Sequence, residues 1–264
     1  MKNSLLIFLT FIVLFYCCEK SSYLIENDPN YPTIIKKVEA DRLSSLRSNF
    51  AQQNLYLRSS IGEYGFCDLA EDLTMAPDPP VDTTTSRPEA IEIAKEFIIE
   101  NSKYTGVNEI NKLEFRVVER MNGFWDGKKG WHLLTSSQKV DTIEVLFTSI
   151  MINIRGKEVY YCIGNWFPNI YIPKELNFTS EKAKRNLLNN ILTHYGWGGP
   201  YNVEITTESL QRSTTSLVVV PIEGKDQLEL HLAWCINIPQ PVYYIIYVDV
   251  MTGEIIGKYP TIIS

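Results

Sequence analysis

Leu228-Glu229-Leu230-His231-Leu232-Ala233-Trp234-Cys235-Ile236-Asn237-Ile238 alternates without a break. Leu228, Leu230, Leu232, Trp234, Ile236 and Ile238 fall on one side of an extended chain, and Glu229, His231, Ala233, Cys235 and Asn237 on the other. Strand side chains point to opposite faces with a period of two, so this stretch predicts a half-buried antiparallel strand. Extended segments surround it at 201–206, 217–222 and 242–250, and a turn at Met251-Thr252-Gly253 leads into 254–258. Ahead of them, Thr179-Ser180-Glu181-Lys182-Ala183 predicts a helix start, with Leu187, Leu188, Ile191 and Leu192 inside and Gly196 near the end.

The same order occurs once before. In Ser86-Arg87-Pro88-Glu89-Ala90, Ser86 has the chemistry of a helix cap, and Glu89 lies where a capping-box partner reaches back. Ala90, Ile93, Ala94, Phe97 and Ile98 form the apolar stripe, and Gly106 lies just past the end. Strand-like segments follow at 113–119, 131–135 and 143–154, with a tight turn at Arg155-Gly156-Lys157 and a return over 158–164. The hairpins correspond: Ile152-Asn153-Ile154 then Gly156, and Val248-Asp249-Val250 then Gly253, with Gly supplying the positive φ such turns need. The expected class is α+β: two repeated units, 86–172 and 173–264, each a helix packed on an antiparallel β-sheet.

The residues ahead of the repeat divide into a leader over 1–17 and a tether with an N-terminal helix and loop over 18–85. Lys2 precedes an apolar run from Leu5 to Phe15, broken only by Thr10. Spanning a bilayer takes about 20 apolar residues, so this run has the size of a signal-peptide hydrophobic region instead. It ends in Tyr16-Cys17-Cys18, and a cysteine there is what a bacterial lipoprotein signal requires. Cys18 is the expected lipidated residue, because a small residue precedes it, whereas bulky Tyr16 precedes Cys17. Residues 21–32 are polar and turn-rich, as a tether is, and 33–50 place Ile34, Ile35, Val38, Leu43, Leu46 and Phe50 on one face of a predicted helix. Residues 64–85 read as a loop, whose acids Asp68, Glu71, Asp72, Asp78 and Asp82 lack the alternation and glycine of a calcium site.

Composition narrows the function. Hydrophobic residues make up 45% of the 264, enough for a real core, and the 15 Tyr and 11 Phe favour strands. The net charge is −6, and loss of Lys2 with the leader makes it more negative still. With no dense Lys/Arg run, nucleic-acid binding is not expected. Cys67, Cys162 and Cys235 remain beyond Cys18; their spacing fits neither a disulfide scaffold nor a zinc site, and they are expected to be mostly buried, unpaired thiols.

The exit Gly156-Lys157-Glu158-Val159-Tyr160-Tyr161-Cys162-Ile163-Gly164-Asn165-Trp166-Phe167-Pro168 resembles the FTP propeptide module of thermolysin-like metalloproteases. Leu230-His231-Leu232-Ala233-Trp234 with Tyr247-Val248-Asp249-Val250-Met251-Thr252-Gly253-Glu254-Ile255 is similar to the PepSY module that follows it. In that family the paired modules act as chaperone and inhibitor of the attached protease. The resemblance covers residues 86–258, and Ser264 closes the chain soon after, so it implies a stand-alone, lipid-tethered relative without a protease. The partner it implies is an extracytoplasmic peptidase or another envelope protein.

No His-Glu-x-x-His, no Gly-x-Ser-x-Gly turn and no Gly-rich phosphate loop occurs. His132, His194 and His231 each stand without a second ligand at metal spacing, so no metal site, no cofactor and no enzymatic activity is expected. Trp125, Trp166-Phe167 and Trp197 lie at segment ends, where they cap a core or mark a peptide- or glycan-binding face. The expected function is a membrane-tethered extracytoplasmic binding module of the cell envelope, at the outer membrane or cell surface, which the resemblance makes a peptidase inhibitor or chaperone like a stand-alone protease propeptide. The alternative is a surface lipoprotein that binds a peptide or glycan or serves in an envelope assembly.

Overall fold

The computed structural model describes residues 28–70, 84–122, 129–196, 199–240 and 243–260; the expected leader and the expected lipidation site, Cys18, lie outside them. The chain is mixed α+β, mostly sheet with few helices.

Four antiparallel strands form the first sheet, in the order β4 (Phe115–Asn122), β5 (Lys129–Thr135), β8 (Ser149–Arg155), β9 (Glu158–Asn165). Helix α2 (Arg87–Glu100) lies on it. Its capping box forms as the sequence predicts: Glu89 N–H donates to Ser86 Oγ and Ser86 N–H to Glu89 Oε2. Such a cap is worth about 1 kcal/mol. Ala90, Ala94, Phe97 and Ile98 are buried in one cluster with Leu133, Ile150, Ile152 and Ile154 of the sheet. Helix α1 (Ala40–Gln53) adds Phe50 to that cluster, and the hairpin of β2 (Ser59–Ile61) and β3 (Cys67–Leu69) adds Ile61 and Cys67.

The second sheet is built on β13 (Gln227–Ile238), which coincides with the alternating stretch. Leu228, Leu230, Leu232, Ile236 and Ile238 are buried, while Glu229, His231 and Cys235 are half-buried and Asn237 is exposed. Ala233 departs from the expected open face. It is fully buried, packed with Val218, Val220 and Tyr247 on the side opposite the leucines. One edge of β13 pairs with β12 (Thr214–Glu223) along its length. The other edge is shared: β14 (Tyr244–Asp249) covers Ala233 to Ile238, and β1 (Thr33–Lys36) covers Gln227 to Leu230. Beyond β14 lies β15 (Ile255–Pro260). Trp234 joins two clusters of the buried face and donates its indole N–H to the Phe178 carbonyl at 2.8 Å. The β14–β15 turn needs Gly253: its φ is +73°, and a Cβ there would lie 2.4 Å from the Phe178 ring.

Two strands leave the first unit to join this sheet. β7 (Ile143–Val145) runs parallel to β12, and β6 (Lys139–Val140) pairs outside it, so the second sheet is mixed rather than purely antiparallel. The predicted strand 143–154 is therefore two strands in two sheets. The break falls at Phe147, whose φ is +58°.

Two predicted helices are also shorter than expected. The β-branched run Thr33-Ile34-Ile35 pairs with β13, and the helix begins only at Ala40. After Thr179, whose hydroxyl accepts the Lys182 N–H, helix α4 (Ser180–Leu187) stops where Asn189 takes a φ of +63°. Asn189 N–H then donates to the Ile205 carbonyl and Ile205 N–H to the Asn190 carbonyl, closing the base of a hairpin of β10 (Ile191–Gly196) and β11 (Gly199–Glu204). Ile191 and Leu192 thus sit in a strand, with Ile191 exposed and Leu192 buried. Their helical spacing simply continues past the true end. Short helices α3 (Ser102–Thr105) and α5 (Thr207–Gln211) and a single 3-10 turn at Ile110–Lys112 complete the described chain.

Candidate functional site

A partly buried polar cluster lies where β1 and β14 meet on the edge of β13. His231 faces two carboxylates: Nδ1 lies 2.7 Å from Asp249 Oδ2 and Nε2 lies 2.9 Å from Glu229 Oε2. Ionised carboxylates only accept, so with Asp249 and Glu229 both ionised this geometry is satisfied by a ring that donates from both nitrogens, the imidazolium form. The Asp249 side chain is 1% exposed. Its Oδ1 accepts the N–H groups of Met251 and Thr252 at 2.8 Å each, and Oδ2 also accepts the Tyr31 hydroxyl at 2.6 Å. Tyr31 further approaches the Leu232 carbonyl at 3.0 Å, which also accepts the Val250 N–H.

The charges follow from these contacts. Burial alone pulls the His231 pKa down, but the hydrogen bonds and charges of Asp249 and Glu229 reverse this and raise it. Burial pushes the Asp249 carboxyl up, and its bonds from His231, Tyr31 and the 251–252 turn bring it below its ordinary value. Hydrogen bonds from Gln227 and His231 lower Glu229. Burial, then the Asp249 charge, raises the Tyr31 phenol strongly, which keeps it protonated. With both imidazole nitrogens engaged, the cluster fastens the N-terminal segment to the sheet. Tyr171 adds a second fastening, donating its backbone N–H to Thr33 Oγ1 and its hydroxyl to Asp28.

A separate groove of about 660 Å³ opens where β9 leaves the first sheet. Trp166 and Phe167 line one side, with Lys139 and Val140 of β6 and the carboxylates of Glu109, Glu114 and Asp141 around it. Gln138 fixes the wall: its Nε2 donates to the Phe167 carbonyl at 2.6 Å, and its Oε1 accepts the Phe167 N–H at 2.8 Å. Underneath, Gly106 at φ +75° closes α3 and touches the Trp166 backbone so closely that a Cβ would lie 1.7 Å from its carbonyl oxygen. Among the described residues β6 pairs only with β7, so the outer edge of β6 is an unpaired strand edge.

The structure separates the sequence candidates. Phe167 is buried and caps the core, while Trp166 is half-buried against the first cluster; Trp125 and Trp197 lie outside the described residues. His132 Nδ1 meets Asn153 Oδ1 at 2.8 Å on β5, and His194 lies on β10, not at a helix end, against the rings of Tyr201 and Tyr244. Glu71, Asp72, Asp78 and Asp82 lie outside the described residues, and Asp68 lies on β3. Among the described residues, no group of three His, Cys, Asp or Glu side chains could hold a metal ion, and no helix is long and apolar enough to cross a membrane. Cys67 and Cys162, 95 positions apart in sequence, are free, buried thiols of the same core cluster. Tyr31 and Gln138 carry no motif. His231 and Asp249 each stand in a stretch the sequence singles out, Leu230 to Trp234 and the Val248-Asp249 hairpin, and Trp166-Phe167 in the exit after β9.

No protein-family model matches the sequence. No curated protein matches it either. Among solved structures, the Bacillus megaterium YpeB C-terminal domain aligns over 85% of this chain and 98% of that one, with 11% identity and a TM-score of 0.30.

Proposed function

We propose that this chain is an extracytoplasmic binding module, tethered to a membrane by lipid on Cys18, whose groove beside Trp166 takes up an extended peptide segment of an envelope protein or peptidase. The observation that carries the reading is the short β6, unpaired on its outer edge among the described residues, whose Lys139 and Val140 line a groove with an aromatic wall. An added strand gains backbone hydrogen bonds from such an edge, and pockets beside it read alternate side chains. The groove volume lies within the 300–1,000 Å³ common for ligand sites.

The sequence resemblance supports the same reading. The Gly164-Asn165-Trp166-Phe167-Pro168 exit, which resembles that of the FTP module, supplies the groove wall. On this reading the two helix-bearing sheets are the tandem FTP and PepSY-like modules, and the chain is a binding protein rather than an enzyme, acting at the outer membrane or cell surface. A glycan ligand is the second reading, favoured by the pairing of Trp166 with the polar groove side chains.

The test is a binding titration of the full chain in detergent against pools of extended peptides and against oligosaccharides. Saturable peptide binding that Trp166→Ala weakens at least tenfold supports the first reading. Saturable binding of oligosaccharide alone replaces it with the second. Equal affinity of Trp166→Ala and wild type for every binding pool removes the groove as the site.

A further inference from the structure

We propose that Cys67 and Cys162 are joined in a disulfide when the chain folds in an oxidising compartment. The inference rests on the extracytoplasmic reading for its biological setting and on the core geometry for its chemistry.

The two cysteines come from separate elements that the backbone locks together. Cys67 opens β3, the second strand of the small hairpin, where it pairs with Ile61. Cys162 lies on β9, the outer strand of the first sheet. Arg58 N–H donates to the Tyr160 carbonyl at 2.9 Å, and Cys162 N–H donates to Ser59 Oγ at 2.9 Å. These bonds dock the hairpin along β9 and place both thiols, free in this structure, in one buried cluster. Both are buried, at 2% and 0% exposure, among Ile61, Leu133, Ile152 and other apolar side chains. Cys235 sits apart on β13, half-buried, in a different apolar cluster.

Oxidation joins the two sulfurs and releases two protons and two electrons. A disulfide of the compartment, carried by a thiol oxidant, accepts them by exchange and leaves as two thiols. The attacking species is a thiolate. In the folded chain the contact with Cys67 and complete burial raise the Cys162 pKa well above the ordinary value, so exchange there is suppressed. The bond must therefore form before the hairpin closes over β9. Once formed, it is shielded from reductants. The bond closes a loop of roughly 95 residues that holds α2 and most of the first sheet, a length at which a crosslink restricts the unfolded chain strongly.

The experiment uses the full chain in its native cells. Thiols are trapped in acid, alkylated with a first reagent, reduced, and alkylated with a second, and the digested protein is read by mass spectrometry. The expected result is the second label on Cys67 and Cys162, the first on Cys235, and a 67–162 crosslinked peptide in the unreduced digest. Protease added to intact cells reports the compartment independently. First label on both core cysteines in a chain that the protease reaches would overturn the inference.

The same full chain is also unfolded in detergent and refolded with reduced and oxidised glutathione. The expected result is the 67–162 bond as the main species, with Cys67→Ala and Cys162→Ala each still folding but unfolding at a lower denaturant concentration than the oxidised wild type. Glutathione adducts or pairs with Cys235 in its place would overturn it. A chain found inside the cytoplasm would remove the extracytoplasmic reading, and the refolding result would then decide the disulfide alone.

Discussion

His231 Nδ1 donates to Asp249 Oδ2 at 2.7 Å at the middle of β13, where His231 and Leu232 are covered by neither β1 nor β14. The bond closes a seam. His231 and Leu232 would otherwise leave a gap in the sheet edge, and Tyr31, Asp249 and the 250–252 turn fill it with hydrogen bonds. The segment that enters the sheet there is the one leading from Cys18, so a lipid on Cys18, as proposed, would pull on this seam and on β1.

Stability should therefore depend on pH in a defined way. The folded-state pKa of His231 is raised, so its contribution is fully present below about pH 6.5, the unfolded value, and is lost as pH rises through the folded value. Asp249 and Glu229 are lowered, so theirs is present above about pH 4 and is lost as pH falls through their folded values. A melting profile from pH 3 to 9 should peak between these limits. His231→Gln should flatten the alkaline limb; an unchanged alkaline limb would show that His231 is not its source.

The two faces of β13 differ less in importance than their alternation implies. Trp234→Ala removes an indole that joins two clusters and a bond to Phe178, at a cost of about 3–5 kcal/mol, and Leu232→Ala costs about 2–5 kcal/mol. The sequence alone places His231 on a face where substitution is cheap. The structure revises this, because His231→Ala leaves the buried Asp249 carboxylate short of its one charged donor, at about 1–2 kcal/mol. Denaturant unfolding of the three variants should rank Trp234→Ala as the most damaging, with His231→Ala smaller but clearly measurable.

That revision shows where the sequence was legible. The core side of β13, the capping box at Ser86 and the β14–β15 turn each follow from a local pattern of a few residues. The exchange of β6 and β7 between sheets does not, because an apolar, β-branched run at 143–154 suits one strand or two equally well. The seam was hidden for a similar reason: Tyr31 and Asp249 lie 218 positions apart and meet only through the pairing of β1 with β13. The groove depends on Gln138, a single amide in a Ser-Ser-Gln stretch whose partner, Phe167, is 29 residues away. Nothing local marks it.

Phe147 offers a sharp check on the crossover between sheets. It holds φ +58° and is 69% exposed, so it carries left-handed strain with little burial to offset it. The left-handed region costs an L-residue about 1–2 kcal/mol, whereas glycine adopts it freely and loses about 0.5–1 kcal/mol in chain entropy. Phe147→Gly should therefore leave the melting temperature unchanged or raise it by a few degrees. A clear fall would mean that the ring is held by contacts its exposure does not reveal.

The proposed lipid on Cys18 bears on the seam. The apolar run Leu5 to Phe15 ends at Cys17-Cys18, and the first described residue, Asp28, follows after a short polar stretch. Fully extended, ten residues span at most about 35 Å, so the lipid would hold the second sheet close to its membrane. One acyl chain binds only marginally, at about 0.8 kcal/mol per buried methylene, and a multiply acylated cysteine binds lastingly. Labelled palmitate fed to cells should enter the wild type and not Cys18→Ser, and the variant should wash from membranes at high salt. Equal labelling of both would move the modification away from Cys18, and label lost only in Cys17→Ser would assign it to the neighbour. If neither takes up label while the protein still pellets with membranes, the leader is retained as an anchor, and the seam at Tyr31 bears the load of a peptide rather than of a lipid.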